Sequence, residues 1–296
     1  MAARNTLRRS LLYVPGSSQR FLDKSRSLVA DCIAYDLEDS VTPHKKAEAR
    51  TLVRRAIDQP IPSGLRERAV RINSVDSGLA LGDLTEVLQS PNLSTIVIPK
   101  VNSASDLTFV HDVSAQSLTN LREICAATPL LQGLIFAAED FALDLSLTRT
   151  PSLTEFLFAR SAIVTAARAA NLPSTIDLVC TAYKSEKADG SPPAALEEEC
   201  QSGRRLGFNG KQCIHPTQVK TVNAIFGPDA EETVWAMRVV VADEKAAAAG
   251  RGAWTLDGKM IDVPVAQKAK AIVAKAEACG VDVAGLREEW KHQEPE

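Results

Sequence analysis

The chain has 296 residues, 45% of them apolar, enough to bury one large hydrophobic core or two ordinary ones. Its 34 basic and 37 acidic side chains leave a net charge of −3, which gives no electrostatic case for nucleic acid or an anionic membrane surface as a partner. No apolar run approaches the ~18 residues of a bilayer span. The cysteines (Cys32, Cys125, Cys180, Cys200, Cys213, Cys279) are scattered without a CxxC pair, so they read as reduced, mostly buried thiols of an intracellular protein, not a disulfide frame or zinc site.

The opening decapeptide, MAARNTLRRS, carries three arginines and no acid, a composition shared with organelle-targeting segments. The cytoplasm or the mitochondrial matrix is the expected compartment. From Ser10 onward, short apolar or β-branched runs alternate with stretches of helical period. Strands are predicted at SLLYVP (10–15), CIAYDLE (32–38), RAVRIN (68–73), TIVIPK (95–100), LQGLIFAAE (131–139), TIDLVCT (175–181) and GKQCIHP (210–216). Helices are predicted between them over 18–30, 43–57, 78–89, 103–115, 118–127, 153–170 and 194–206.

Continuously apolar strands separated by helices argue for an α/β fold with a parallel sheet covered by helices. Polar residues gather at the predicted strands' C-terminal ends: Asp36, Glu38, Asp39, Arg71, Asn73, Lys100, Glu139, Asp140 and His215. In a (β/α)8 barrel that rim is the active-site face. An open doubly wound sheet is the competing fold, and no glycine-rich phosphate loop after the first strand supports it.

After Gly227 the pattern changes to a long helix over 229–250, a hairpin over 252–262 turning at Asp257-Gly258, and a last helix over 265–279. The chain thus divides into a barrel at 1–228 and a helix–hairpin–helix extension at 229–296. The extension reads as too small for a core of its own, so it is expected to pack on the barrel or on a neighbouring subunit.

Seven segments occur in a telling order: RRSLLYVPGSSQRFLDKS, AYDLEDSVTPHKKAEAR, VRIN, IVIPKV, LIFAAEDFALDL, GFNGKQCIHPTQV and GKMID. In these motifs the chain resembles the citrate lyase β-subunit-like proteins, the acyl-CoA-acting branch of the HpcH/HpaI aldolase superfamily, from about Arg9 to Ala276. The resemblance implies a TIM-type barrel using Mg2+ to make or break a carbon–carbon bond of a malyl-, citramalyl- or citryl-type CoA thioester through an enolate. A hard divalent cation takes oxygen ligands, usually one or two carboxylates with substrate oxygens and water.

By this resemblance Asp140 is the metal ligand; from the residues alone it reads equally as a helix cap. Arg71 is expected to grip a substrate carboxylate or enolate oxygen, against a plain salt bridge. Glu38 and Asp39 are expected to flank the metal site, with ion pairs to Lys46 or Arg50 as the simpler reading. Asp262 of GKMID is expected to act as acid/base in a neighbouring protomer's site, which requires an oligomer, a homotrimer in the family; otherwise it caps the helix that Pro264 opens. Arg20 and Lys24 are candidates for the CoA phosphates or a substrate carboxylate, or are simply solvated. His215 is expected to be structural or near CoA, and Lys100 to pair with rim carboxylates instead of forming a Schiff base.

The chain also departs from this pattern. Only seven barrel strands are found, and the fifth strand, whose glutamate is the second metal carboxylate, is missing; Val113 stands where that glutamate belongs. Either a stunted strand around 109–113 fills the wall or a gap remains, and Asp112 and Glu139 are the nearest substitute carboxylates. Ala137 replaces a glycine usual before the acidic pair. The competing functions are a catalytically inactive barrel and an aldolase for free 2-keto acids.

Overall fold

A computed structural model describes residues 7–110, 121–184 and 191–296, with backbone alone for Thr108 and Phe109. The chain separates into two compact units, Met1–Phe226 and Gly227–Glu296.

In the first unit seven strands form one parallel sheet: β1 (Ser10–Pro15), β2 (Ala30–Asp36), β3 (Leu65–Arg71), β4 (Thr95–Val97), β5 (Gly133–Ile135), β6 (Ser174–Asp177) and β7 (Gly210–Cys213). Their order is β4-β3-β2-β1-β7-β6-β5. Nine helices follow them among the described residues: α1 (Gln19–Ser25), α2 (Lys46–Asp58), α3 (Ala80–Val87), α4 (Ser105–Val110), α5 (Leu121–Ala126), α6 (Ala138–Asp144), α7 (Leu157–Ala169), α8 (Ala194–Leu206) and α9 (Pro216–Phe226).

Side chains alternate across a strand, so each strand feeds two cores. Leu12, Val14, Ile33, Tyr35, Val70 and Ile72 face the helices in the large cluster. Leu11, Cys32, Ala34, Ala69, Val97 and Ile176 form a second, smaller cluster with Tyr13 and Ile135 against it. That inner cluster joins side chains from β1 through β6 on one face of the sheet. The sheet is curled into a barrel wall, because Lys100 and Asp140, just past the two edge strands, come within 4.0 Å of each other. Gly16, where β1 turns toward α1, is fixed by a close approach: a Cβ there would lie 2.6 Å from the Asp36 carbonyl oxygen.

β4 to β7 are shorter than predicted, β1 matches its predicted range, and β2 and β3 begin two or three residues earlier and end two residues earlier, so Glu38, Asp39 and Asn73 lie in loops past the strand ends. The predicted strand over 131–139 contracts most. After Ile135 only the Phe136 N–H still bonds to the Ile176 carbonyl, at 3.0 Å. α6 then starts at Ala138, which places Glu139 and Asp140 in a helical first turn, where the helix dipole favours carboxylates. Among the described residues β4 and β5 are the two edges of the sheet, and no strand joins them. Of the expected stunted strand, residues 109 and 110 belong to α4; Asp112 and Val113 lie outside the described residues.

The second unit contains α10 (Ala230–Ala248), a hairpin of β8 (Trp254–Leu256) and β9 (Lys259–Ile261), α11 (Val263–Ala278) and α12 (Val283–Glu289). Asp257 and Gly258 both have positive φ, +50° and +72°, as a two-residue type I′ turn requires. Contrary to the expectation from its size, this unit has its own core. Ala236, Val239, Ala242, Trp254, Leu256 and Ile261 are all at most 5% exposed and cluster with Ala266 and Ala269. Alanines let α10 and α11 approach closely, and the hairpin supplies the bulk that they lack.

Candidate active site

The parallel register of β2 and β3 sets Asp36 beside Arg71. Both side chains point into the barrel, and the guanidinium meets the carboxylate with two hydrogen bonds of 2.8 Å. Asp36 is fully buried and also accepts hydrogen bonds from the Glu38 N–H at 2.8 Å and the Ser40 N–H at 3.0 Å. Beneath the guanidinium lies the Tyr13 ring, 4.4 Å away. The Tyr13 hydroxyl donates to Gln212 Oε1 at 3.2 Å, and Gln212 Nε2 donates to the Phe136 carbonyl at 2.9 Å. Arg71 is therefore held from the side and from below, leaving Nη1 to face Glu38 Oε2 at 3.0 Å and Asp39 Oδ2 at 3.5 Å.

Lys100, just past β4, completes the cluster. Its Nζ lies 2.9 Å from Glu38 Oε1, 3.1 Å from Asp39 Oδ1 and 4.0 Å from Asp140 Oδ1. This last contact joins the ends of the two sheet edges, so the mouth is narrow there even without a shared strand. The two adjacent carboxylates of α6 separate: Asp140 faces Lys100, while Glu139 pairs with Arg149. Arg149 in turn donates to Glu199 at 2.8 Å and to the Val179 carbonyl at 3.0 Å.

These positions settle several readings. Asp140 is not a helix cap, because the cap position of α6 is Ala137 and Asp140 lies inside the first turn. Glu38 and Asp39 take Arg71 and Lys100 as ion partners, not Lys46 or Arg50. Lys46 Nζ is held by the carbonyls of Leu37 and Glu38 and by Asn73 Oδ1, and Arg50 pairs with buried Asp83. Lys100 pairs with rim carboxylates, as expected.

Burial alone would raise the Asp36 carboxyl; the hydrogen bonds and charge of Arg71, with Ser40, outweigh it and hold Asp36 below its ordinary range. For Glu38 burial wins over the pull of Arg71 and Lys100, and its carboxyl is raised. Burial likewise raises Asp140, with Lys100 opposing and Asp39 adding to the effect. Burial pulls the Lys100 ammonium down, yet its bonds to Glu38 and Asp39 raise it on balance.

Arg20, Lys24 and His215 share no ion pair or hydrogen bond with this cluster among the described residues. Arg20 and Lys24 are exposed on α1, and the Arg20 guanidinium lies 5.6 Å from the centroid of the neighbouring Phe21 ring. His215, past β7, stacks on Tyr183 at 5.1 Å, with Nδ1 2.8 Å from Thr217 Oγ1. Asp262 belongs to the second unit and caps α11, Oδ1 accepting from the Val265 N–H at 3.1 Å. Sequence reasoning assigned no role to Asp36, Tyr13, Gln212 or Arg149. The alternation of β1 (Leu11 and Tyr13 on one face) is the signal that places Tyr13 inside the barrel.

The cluster suits a hard divalent ion. Its donors are all oxygens, and Glu38 Oε2 is a buried atom with an ion-pair contact to Arg71 but no aligned hydrogen bond. The four carboxylates Asp36, Glu38, Asp39 and Asp140 are met by only two cations of the cluster, Arg71 and Lys100. Among the described residues no three His, Cys, Asp or Glu side chains converge as a cage; an ion that keeps most of its waters needs only one or two carboxylates.

A sequence model of the HpcH/HpaI aldolase/citrate lyase family matches residues 9–114 and 113–216. Human mitochondrial citramalyl-CoA lyase is 34% identical to this chain over 91% of it and 85% of its own length. A (3S)-malyl-CoA thioesterase of Cereibacter sphaeroides is 36% identical over 91% of this chain and 95% of its own length. Among solved structures, the CitE protein of Mycobacterium tuberculosis in complex with magnesium, acetoacetate and coenzyme A superposes with a TM-score of 0.73 at 26% identity, covering 92% of this chain and 99% of that one. The parallel curled sheet, the carboxylates gathered at its mouth and these matches carry one conclusion: the chain belongs to the HpcH/HpaI aldolase/citrate lyase family.

Proposed function

We propose that this protein is a Mg2+-dependent carbon–carbon lyase acting on a 2-hydroxyacyl-CoA thioester of the malyl-, citramalyl- or citryl-CoA type. The observation that carries the reading is the convergence of Asp140, Glu38, Asp39 and Arg71 on one barrel mouth, joined through Lys100. The relatives named above act on such thioesters, and the M. tuberculosis protein was solved with magnesium and coenzyme A. Asp140 would hold Mg2+, with Glu38 and Asp39 beside it. When bound, the ion supplies positive charge at the substrate oxygens, where negative charge develops as the carbon–carbon bond breaks.

The chain's own residues do the rest. Arg71, locked by Asp36 and Tyr13, presents Nη1 as a fixed donor for a substrate carboxylate or enolate oxygen. Holding that donor still before the substrate arrives removes the reorganisation that a free side chain would need. Glu38, raised by burial, is poised to take part in hydrogen bonding to bound water. Asp262 serves as acid/base in the site of a second protomer of a homotrimer, its cap bond fixing one carboxylate oxygen and leaving the other to act. Arg20 and Lys24 meet the CoA phosphates or a substrate carboxylate. The compartment is the cytoplasm or the mitochondrial matrix, the latter supported by the human relative's name.

Activity in this form is reduced by the loss of the second metal glutamate. Two observations favour that loss. The family match breaks into two stretches that meet at residues 113–114. The alignment with the human relative runs to 299 positions although it uses 91% of this 296-residue chain. An inactive barrel is the alternative that the same break supports.

Proton exchange tests the reading. With Mg2+ and acetyl-CoA or propionyl-CoA in D2O, the acyl α-proton NMR signal is expected to decay, and to persist with a chelator or with Asp140→Asn. Persistence of the signal at saturating Mg2+ contradicts the lyase and leaves the inactive barrel.

A further inference from the structure

Lys100 stands out in the mouth by its backbone as well as by its partners. Its φ is +45°, in the left-handed region that side-chain-bearing residues seldom occupy. That conformation turns a long, flexible stem into the acidic cleft and brings its ammonium within 2.9–4.0 Å of Glu38, Asp39 and Asp140. The three carboxylates do not close into a cage, but each has an oxygen within 4.0 Å of this one compact positive charge.

Arg71 cannot fill this role or vacate it: Asp36 grips it twice, and its side chain is 17% exposed. Lys100 is different. Its side chain is 38% exposed, so the ammonium can turn to water. Glu38 is 5% exposed and stays, with an Oε2 that no hydrogen bond claims. The four carboxylates Asp36, Glu38, Asp39 and Asp140 outnumber the two cations Arg71 and Lys100 by two charges. A divalent ion in place of the ammonium brings one more positive charge to this excess.

We propose, resting on the metal reading above, that the Lys100 ammonium occupies the cation position of the mouth and competes with the divalent ion for it, so that Lys100 sets the affinity for that ion. The ion's arrival displaces the ammonium toward solvent. The strained backbone at Lys100 keeps the stem at the mouth, ready to return.

The test is a Mn2+ titration of the full chain, reading free Mn2+ by electron paramagnetic resonance. Lys100→Met is expected to bind Mn2+ about tenfold tighter or more than the wild type, because a like charge at ~4 Å is removed. Lys100→Arg keeps the charge and is expected to match the wild type or bind more weakly. Adding Asp140→Asn to Lys100→Met is expected to cancel the gain. Should Lys100→Met fail to fold, as judged by circular dichroism, Lys100→Gln carries the same expectation.

A wild type that binds Mn2+ through Asp140, beside a Lys100→Met that binds no tighter, overturns this inference and leaves the metal reading standing. A gain in Lys100→Arg equal to that in Lys100→Met overturns it too. Absence of binding in the wild type and in both uncharged variants, up to millimolar Mn2+, overturns the metal reading itself and this inference with it.

Discussion

The two sides of the barrel wall are built to different standards. On one side β1, β2 and β3 are six or seven residues long, pair in full register and are almost wholly buried. On the other side β4 and β5 are three-residue edges, mostly half-buried, followed by helices of six and seven residues. The long side carries Asp36 and Arg71, whose charges are matched inside the fold. The short side carries Lys100 and Asp140, 38% and 44% exposed, whose charges meet at the mouth. The difference teaches that the Asp36–Arg71 pair is fixed by the fold, whereas the Lys100–Asp140 contact is made by partly exposed side chains at the mouth.

The sharpest way to break this comparison is Arg71→Met. It strands fully buried Asp36 without its partner, and a loss of about 3–5 kcal/mol is expected in urea unfolding, together with loss of turnover. Asp140→Asn is expected to do the opposite: at least about a hundredfold loss in kcat, with stability within about 0.5 kcal/mol of the wild type. If Asp140→Asn destabilised as strongly as Arg71→Met, the two sides would be one construction.

The pH dependence sharpens the same contrast. Asp36 is held below its ordinary range, so its contribution is fully present above the unfolded carboxyl value, about 3.9, and is lost as pH falls through the lower folded value. Glu38 and Asp140 are raised, so ionising them costs stability, and that cost appears as pH climbs through their folded values. Thermal melts between pH 7 and pH 2 are expected to show Asp36→Asn losing less stability on acidification than the wild type.

The smallest effect concerns the second unit. Asp262→Ala removes the α11 cap and is expected to cost about 1 kcal/mol, whereas Asp262→Asn keeps it. A kcat drop in Asp262→Asn with unchanged melting isolates the acid/base role from the cap.

Much of the fold was legible because buried parallel strands and amphipathic helices announce themselves by period; 10–15 and 194–206 coincide with β1 and α8. Arg71, Glu38, Asp39 and Asp140 were legible as candidates because charged residues at the ends of apolar runs are conspicuous. Partners were not. Asp36 with Arg71 depends on strand register, which no local pattern fixes, and Tyr13 under Arg71 depends on the curl of the sheet. The start of α6 was misplaced because the apolar run continues from Gly133 to Ala138, while backbone pairing stops at Phe136. The core of the second unit was missed because alanines look too small to build one until the hairpin is folded over them.

The most direct measurement is cleavage of citramalyl-, malyl- and citryl-CoA, followed by mass spectrometry of the thioester products, with Mg2+ and with a chelator, in the wild type and in Asp140→Asn. Cleavage of at least one thioester that needs both Mg2+ and Asp140 is expected. Cleavage that proceeds unchanged with the chelator, or without the Asp140 carboxylate, would contradict the account.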